Sequence, residues 1–252
     1  MMTANETVVD VSQDWLLAGD VQQRFMQGHG RVIDSLDYSA RCRQAQAIGG
    51  DCYDFLPLGD GRMGFAIGDA SGKGLAAALM IANVQSSLRT AAIFAGNDLP
   101  AFFAIVNRQA YASSLADRFA TLFFGVFDGI TRTLRYVNAG HNPPIVVEHD
   151  GPVSSLEKGG APIGMFPDSR YEEGSVELQP GSCVIAYTDG VVEASNRRGE
   201  SWGMEGLLQA ACAGVSGRLN AEAIVHTIFN SMDDFSEGKQ SDDATLAVLQ
   251  VS

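Results

Sequence analysis

Residues 68–74 read GDASGKG, and they lie between the apolar alternation of residues 63–67 and a stretch rich in alanine and leucine. A strand, a glycine-rich turn and a helix are therefore predicted in succession. The nucleotide-binding pattern G-x-x-x-x-G-K-[ST] would need a glycine at position 67 and a hydroxyl residue at position 74. Ile67 and Gly74 stand there, and the glycine spacing does not match a dinucleotide loop either. Because Asp69 would repel a phosphate unless a cation lay between them, the turn predicts a metal site.

Composition limits the other classes of function. The chain has 252 residues, and its 17 Lys and Arg against 30 Asp and Glu give a net charge of −13. Such a charge opposes binding to nucleic acid or to an anionic membrane. The first residues do not form a secretion signal, and no apolar run reaches the ~18 residues of a membrane span, so a cytoplasmic protein is expected. The four cysteines lie far apart, which predicts reduced thiols rather than a zinc knuckle or a disulfide framework: Cys42, Cys52, Cys183 and Cys212.

The N-terminal segment differs in pattern from the rest of the chain. Leu17, Val21 and Phe25 recur at helical spacing, so residues 12–29 are predicted to form an amphipathic helix. Its apolar stripe must pack either on the rest of the chain or on a second copy of itself. We therefore divide the chain into residues 1–35, a helical segment that either simply packs on the domain or has a regulatory or dimerising role, and residues 36–252, the main domain.

Within the main domain, strands come in antiparallel groups and helices come in pairs. Alternation from Leu36 to Cys42 predicts a strand, and a hairpin follows with its turn at 59–61. Two helices are predicted on either side of a break at 96–98, and Asp128-Gly129 marks a second hairpin. Two late helices, near 203–213 and 220–234, precede a last strand. This order predicts an α+β fold, an α-β-β-α sandwich of two antiparallel sheets flanked by helix pairs.

Aspartates stand repeatedly at the ends of the predicted strands: Asp51, Asp69, Asp189, Asp242 and Asp243. If these strand ends meet at one edge, the carboxylates repel one another by about 1–4 kcal/mol per pair, depending on the local dielectric. Cations would relieve that repulsion. An all-oxygen donor set without His or Cys favours hard ions, so Mg²⁺ or Mn²⁺ is expected.

The motifs that carry these aspartates resemble those of a known family when they are taken together and in order. They are GGDCYDF, GDASGKG, RFATLFFGVFD, YVNAGHNPP, GAPIGM, YTDGVVEA and SDDATL. From about residue 36 to 251, the chain resembles the SpoIIE-type (RsbU-like) branch of the PPM metal-dependent protein serine/threonine phosphatases, which are protein phosphatase 2C-like. That resemblance implies a sandwich of two antiparallel sheets between helix pairs, in agreement with the pattern of strands and helices.

The resemblance also implies a ligand set for two Mn²⁺ or Mg²⁺ ions. Asp69 corresponds to the carboxylate that bridges both metals, and the backbone carbonyl of Ala70 completes one coordination shell. Asp51 corresponds to a ligand of one metal, and Asp189 and Asp242 to ligands of the other.

Several neighbouring residues are open to more than one interpretation. Spacing alone does not decide whether Asp242 or Asp243 is the ligand. The resemblance implies that Asp243 supports the metal ligands without binding the metal itself. Lys73 either contacts phosphate or is a solvated lysine. His141 is a candidate proton donor by its chemistry, although the adjoining Asn-Pro-Pro predicts a rigid turn. Asp54 lies an odd number of residues from Asp51, so we expect it on the opposite face of the strand.

The activity implied by the resemblance is hydrolysis of phosphoserine or phosphothreonine in a protein by a metal-activated water. The implied substrate is a phosphorylated anti-sigma-factor antagonist in a bacterial partner-switching pathway, and a homodimer would form through the N-terminal helix. The alternative is a catalytically weak or silent phosphatase-like module that docks such a regulator. The four acidic positions of the implied ligand set are all present, which favours the enzyme: Asp51, Asp69, Asp189 and Asp242.

Overall fold

Two sheets packed face to face form the centre of the fold in a computed structural model that describes residues 11–26, 29–33, 35–94, 98–115, 117–149 and 153–252. The first sheet has the strand order β1-β2-β12-β11-β7-β8, and all its pairings are antiparallel. Its strands are β1 (His29–Ile33), β2 (Leu36–Arg43), β7 (Ile145–Val147), β8 (Val153–Ser155), β11 (Cys183–Tyr187) and β12 (Ala244–Val251).

The second sheet has the order β10-β6-β5-β4-β3, again antiparallel, with a short parallel strand β9 added beside β6. Its strands are β3 (Asp51–Gly59), β4 (Arg62–Ala70), β5 (Ala120–Asp128), β6 (Thr133–Ala139), β9 (Gly159–Gly160) and β10 (Gly174–Glu177). Most aromatic residues of this sheet lie in the space between the two sheets, where the rings of Phe123 and Tyr136 stack with centroids 5.4 Å apart.

One pair of helices covers the outer face of each sheet. The helices are α1 (Val11–Phe25), α2 (Leu75–Phe94), α3 (Leu99–Ser113), α4 (Asp189–Val192), α5 (Gly203–Ser216) and α6 (Ala221–Ser236). Small residues such as Ala77 let α2 approach the second sheet closely, and α2 and α3 bury an apolar core against it. A separate core joins α5 and α6 to the first sheet. The predicted four-layer α-β-β-α sandwich of two antiparallel sheets is thus confirmed.

The predicted elements of the main domain are present with small changes at their ends. The Asp51–Gly59 and Arg62–Ala70 strands form the expected hairpin. Helix α3 begins after Asp98, whose carboxylate accepts a hydrogen bond from the Ala101 amide at 2.9 Å. The break predicted at 96–98 lies mostly outside the described residues. The second hairpin turns over residues 129–132, where the Asp128 carboxylate accepts hydrogen bonds from two backbone amides.

The N-terminal segment differs from the prediction in two ways. The helix ends at Phe25 rather than near residue 29, and residues 29–33 form an edge strand, β1, that pairs with β2. The apolar stripe does not pack fully on the domain, because Leu17 and Val21 are 54% and 53% exposed. The more buried face of α1 instead carries Gly19 and Gln22.

None of the helices in the described ranges combines the length and the apolar character needed to cross a membrane.

Candidate metal centre

The predicted aspartates meet at one edge of the sandwich because both sheets end there. In the β3–β4 hairpin Asp51 and Asp69 are cross-strand partners, so their side chains lie on the same face. On the first sheet, Asp189 follows β11 and begins α4, and residues 242–243 directly precede β12, the antiparallel partner of β11. The structure therefore brings together the five carboxylates that the sequence analysis selected.

Asp51 connects the two sheets through hydrogen bonds. Its side chain is 2% exposed, and its Oδ2 accepts hydrogen bonds from the Thr188 Oγ1 at 2.7 Å and the Thr245 Oγ1 at 2.6 Å. Burial and the charge of Asp69 raise the pKa of Asp51, whereas the two threonine hydroxyls act to lower it. The second carboxylate oxygen, Oδ1, stays available for another partner.

Asp243 holds the loop that precedes Asp51. Its Oδ1 accepts a hydrogen bond from the Ala45 amide at 2.7 Å, and its Oδ2 accepts one from the Gly50 amide at 2.8 Å. Glycine is required at two neighbouring positions by close approach, since a Cβ at Gly49 would lie 2.2 Å from the Asp243 Oδ2 and one at Gly190 would lie 1.9 Å from its backbone oxygen. Both carboxylate oxygens of Asp243 thus position backbone, and those of Asp242 are engaged as well, Oδ1 by the Asp243 amide at 3.0 Å and Oδ2 by the Lys73 Nζ at 2.7 Å.

Asp69 and Asp189 are destabilised as anions by their surroundings. Partial burial, followed by the charges of Asp189 and Asp242, raises the pKa of Asp69 to about 7. Burial and the charge of Asp242 also raise the pKa of Asp189, against a lowering contribution from the Gly190 amide. Repulsion of this kind indicates an edge suited to cations.

Lys73 is the cation that contacts this cluster. Its Nζ lies 2.7 Å from the Asp242 Oδ2 and donates to the Ser241 carbonyl at 3.2 Å. Within the described residues, no three His, Cys, Asp or Glu side chains are placed closely enough to hold one ion as they stand. The donor chemistry nonetheless fits a hard divalent cation, because the candidate ligands at the edge are carboxylates together with the nearby Ala70 carbonyl.

Other candidates from the sequence lie near the edge without joining the cluster. His141 is buried, its Nδ1 lies 2.9 Å from the Thr121 Oγ1, and burial lowers its pKa to about 4. A neutral imidazole of this kind favours the turn-stabilising interpretation over the proton donor. Asp54 faces the opposite side of β3, as its spacing predicts, and pairs with Arg89 of α2 through both carboxylate oxygens.

Three residues at this edge were not selected from the sequence. Thr188 and Thr245 are ordinary strand-end residues by pattern, and only the pairing of the two sheets places them on Asp51. Arg118 lies two residues before the start of β5, and its Nη1 donates to the Ser71 carbonyl at 2.9 Å beside the positive-φ Gly72. An arginine beside the glycine-rich turn could have been selected only with knowledge of the β4–β5 pairing.

Comparison with known proteins shows the fold and the family of the chain. The SiaA-PP2C domain of Pseudomonas aeruginosa superposes with a TM-score of 0.81 over 96% of this chain and 97% of that one, at 18% identity, which shows a shared fold. Residues 59–252 match the family model for stage II sporulation protein E (SpoIIE). The chain therefore belongs to the SpoIIE family.

Two curated relatives extend the comparison. Protein IcfG of Synechocystis is 30% identical over 227 residues, which cover 79% of this chain. The phosphoserine phosphatase RsbU of Bacillus subtilis is 26% identical over 247 residues, which cover 96% of this chain and 71% of that protein. The chain spans 35% of the length of IcfG.

Proposed function

We propose that the chain is a metal-dependent protein serine/threonine phosphatase that hydrolyses phosphoserine or phosphothreonine. The observation that carries the proposal is the edge where carboxylates from both sheets converge and where burial, followed by the charges of Asp189 and Asp242, raises the pKa of Asp69 to about 7. Membership of the SpoIIE family and similarity to a phosphoserine phosphatase support it.

Two Mn²⁺ or Mg²⁺ ions fit the donor set as follows. Asp69 would bridge the two ions, Asp51 and the Ala70 carbonyl would complete the ligands on the second sheet, and Asp189 and Asp242 would contribute from the first sheet. When bound, such ions supply an activated water and neutralise charge on the phosphoryl group. Thr188 and Thr245 would orient Asp51 toward the ions by engaging its other oxygen.

The substrate's phosphoryl group must approach an edge that already carries several carboxylates, so fixed cations are needed beside it. Lys73 and Arg118 both lie at the glycine-rich turn. Arg118 uses one N–H in its bond to Ser71, and its remaining donors suit the geometry of a phosphate oxygen. We propose that these two side chains bind and orient the phosphoryl group.

The proposed substrate is a phosphorylated regulatory protein of the anti-sigma-factor antagonist type, and the proposed setting is a partner-switching pathway. Similarity to RsbU over 96% of this chain supports that choice. We further propose a homodimer formed through the N-terminal helix, supported by the exposure of Leu17 and Val21, which line one apolar groove with the exposed Leu79 of α2.

A phosphatase assay with a phosphoserine peptide tests the enzymatic proposal. We expect turnover to be abolished by a chelator and restored by Mn²⁺. Asp69→Asn should lower the rate by at least about 100-fold, because it removes the charge of a bridging ligand with little change in volume. Asp60→Asn is the matched control, because the Asp60 side chain, at the turn of the same hairpin, is 93% exposed. This variant should keep the normal rate.

Chelator-resistant turnover would contradict the metal-dependent mechanism. Binding of a phosphorylated regulator without turnover at any Mn²⁺ concentration would instead support the silent docking module.

A further inference from the structure

The backbone of helix α1 contacts the loop of residues 44–50. This loop leads into Asp51 at the acidic edge, the edge of the sandwich where the five carboxylates meet. A Cβ at Gly19 would lie 2.2 Å from the Ala47 carbonyl oxygen, so only glycine allows this approach. One turn later on the same face, Gln22 is 7% exposed. The contact between α1 and the loop is therefore close and is centred on a buried polar side chain.

The Gln22 amide group pairs with one residue of that loop in both directions. Its Nε2 donates to the Gly49 carbonyl at 2.7 Å, and its Oε1 accepts from the Gly49 amide at 3.1 Å. The same Oε1 also accepts from the Gln44 Nε2 at 2.8 Å. A buried amide costs free energy when it is left unpaired, so this two-way pairing holds Gly49 in one place.

Gly49 adjoins the backbone that organises the candidate centre. The Gly50 amide donates to the Asp243 Oδ2, and the Gly50 carbonyl accepts from the Ala70 amide at 3.0 Å. Asp51 is the next residue. A displacement of Gly49 would therefore move Asp51 and release Asp243 and Ala70 from their partners.

Apolar packing accounts for only part of the contact between α1 and the domain. Leu17 and Val21 remain more than half exposed, whereas polar contacts fix the helix at two points. The first is Gln22 on Gly49, and the second is the Phe25 carbonyl, which accepts from Gln85 at 3.0 Å and from Arg89 at 2.6 Å. Of these two points, only the first reaches the loop of the acidic edge.

We propose that Gln22 is a positioning residue for the metal centre: by fixing Gly49 from α1, it sets the backbone that presents Asp51 and Asp243. This inference rests on the proposed function, because it assumes that the acidic edge binds divalent cations. The N-terminal helix of each copy of the chain then helps to hold the candidate metal ligands in position.

Mn²⁺ titration by calorimetry tests the inference on the full chain. Gln22→Leu keeps the approximate size of the side chain but removes both hydrogen-bonding groups, and we expect Mn²⁺ affinity to fall about 10-fold to 100-fold. Gln22→Asn keeps the amide but is one methylene shorter, so it should give an intermediate loss. Gln23→Leu makes the same change at the exposed neighbouring position and should bind Mn²⁺ as the wild type does.

The result that overturns the inference is unchanged Mn²⁺ affinity in folded Gln22→Leu, even if its thermal stability is lower. If Gln22→Leu does not fold, unchanged affinity in Gln22→Asn overturns it equally. Failure of the wild type itself to bind Mn²⁺ would remove the proposed function and this inference together. Normal wild-type binding with unaffected Gln22 variants removes the inference alone.

Discussion

Asp51 and Asp69 are cross-strand partners in one hairpin, yet their surroundings differ in kind. Asp51 is almost completely buried and receives hydrogen bonds from two threonine hydroxyls of the opposite sheet. Asp69 is less buried, and the charges that most affect it are the carboxylates of Asp189 and Asp242. The Asp51 carboxylate is thus stabilised by hydrogen-bond donors of the fold, whereas the Asp69 carboxylate is repelled by the carboxylates around it.

The difference shows how the edge combines rigidity with affinity for cations. A ligand that is already oriented loses little conformational freedom when an ion binds. A ligand under repulsion gains most when positive charge arrives. The fold therefore fixes the position of Asp51, whereas Asp69 would be stabilised by the bound cation.

The largest expected effect on stability comes from removing the repelled charge. The pKa of Asp69 is raised to about 7 in the fold from 3.8, so its contribution to stability is present below pH 4 and is lost as pH rises through 7. In the presence of a chelator, Asp69→Asn should match the wild type near pH 4 and become more stable than it by pH 8. Urea unfolding across this pH range measures the difference.

Asp128 provides the opposite control for that experiment. Backbone hydrogen bonds, chiefly from Thr131, lower the pKa of Asp128, so its contribution is present above the unfolded pKa and lost as pH falls. Asp128→Asn should lose stability relative to the wild type at neutral pH. If the stabilities of both variants relative to the wild type change with pH in the same direction, the raised pKa of Asp69 does not cause the pH dependence of Asp69→Asn.

A smaller effect is expected from loosening the held carboxylate. Thr245→Val removes one hydroxyl from Asp51 with little change in volume, and a hydrogen bond to a charged group contributes about 1.5–3 kcal/mol. Thr227→Val, which removes a hydroxyl bonded only within its own helix, is the matched control. Thermal unfolding of the two variants should show the larger loss for Thr245→Val, and equal losses would indicate that Asp51 is not held by this bond.

The sequence predicted the fold well where one local pattern decides an element. Alternation and turn residues predicted the β3–β4 hairpin, and runs of alanine and leucine predicted α2 and α3. Elements that depend on partners were missed, such as the edge strand β1 and the single turn α4. In α1 the helical period was predicted, but the face that is most buried carries Gln22, because hydrogen bonding outweighs apolar packing there.

The candidate site was predictable as far as its charges. Aspartates at strand ends, together with the ordered motifs, identified the five carboxylates that the structure brings together. Their supports were not predictable, because Thr188, Thr245 and Arg118 have no distinctive spacing and become relevant only through pairing between distant strands. The choice between Asp242 and Asp243 stays a prediction from the resemblance, because both oxygens of each carboxylate are engaged in the structure.

The central claim is that this edge binds divalent cations through Asp69, and Mn²⁺ titration of the wild type beside Asp69→Asn tests it most directly. Calorimetry at neutral pH on chelator-treated, exhaustively dialysed protein should show Mn²⁺ binding by the wild type and its loss or strong weakening in Asp69→Asn, with both proteins folded. Equal Mn²⁺ binding by the two proteins, or none by the wild type, would contradict the account.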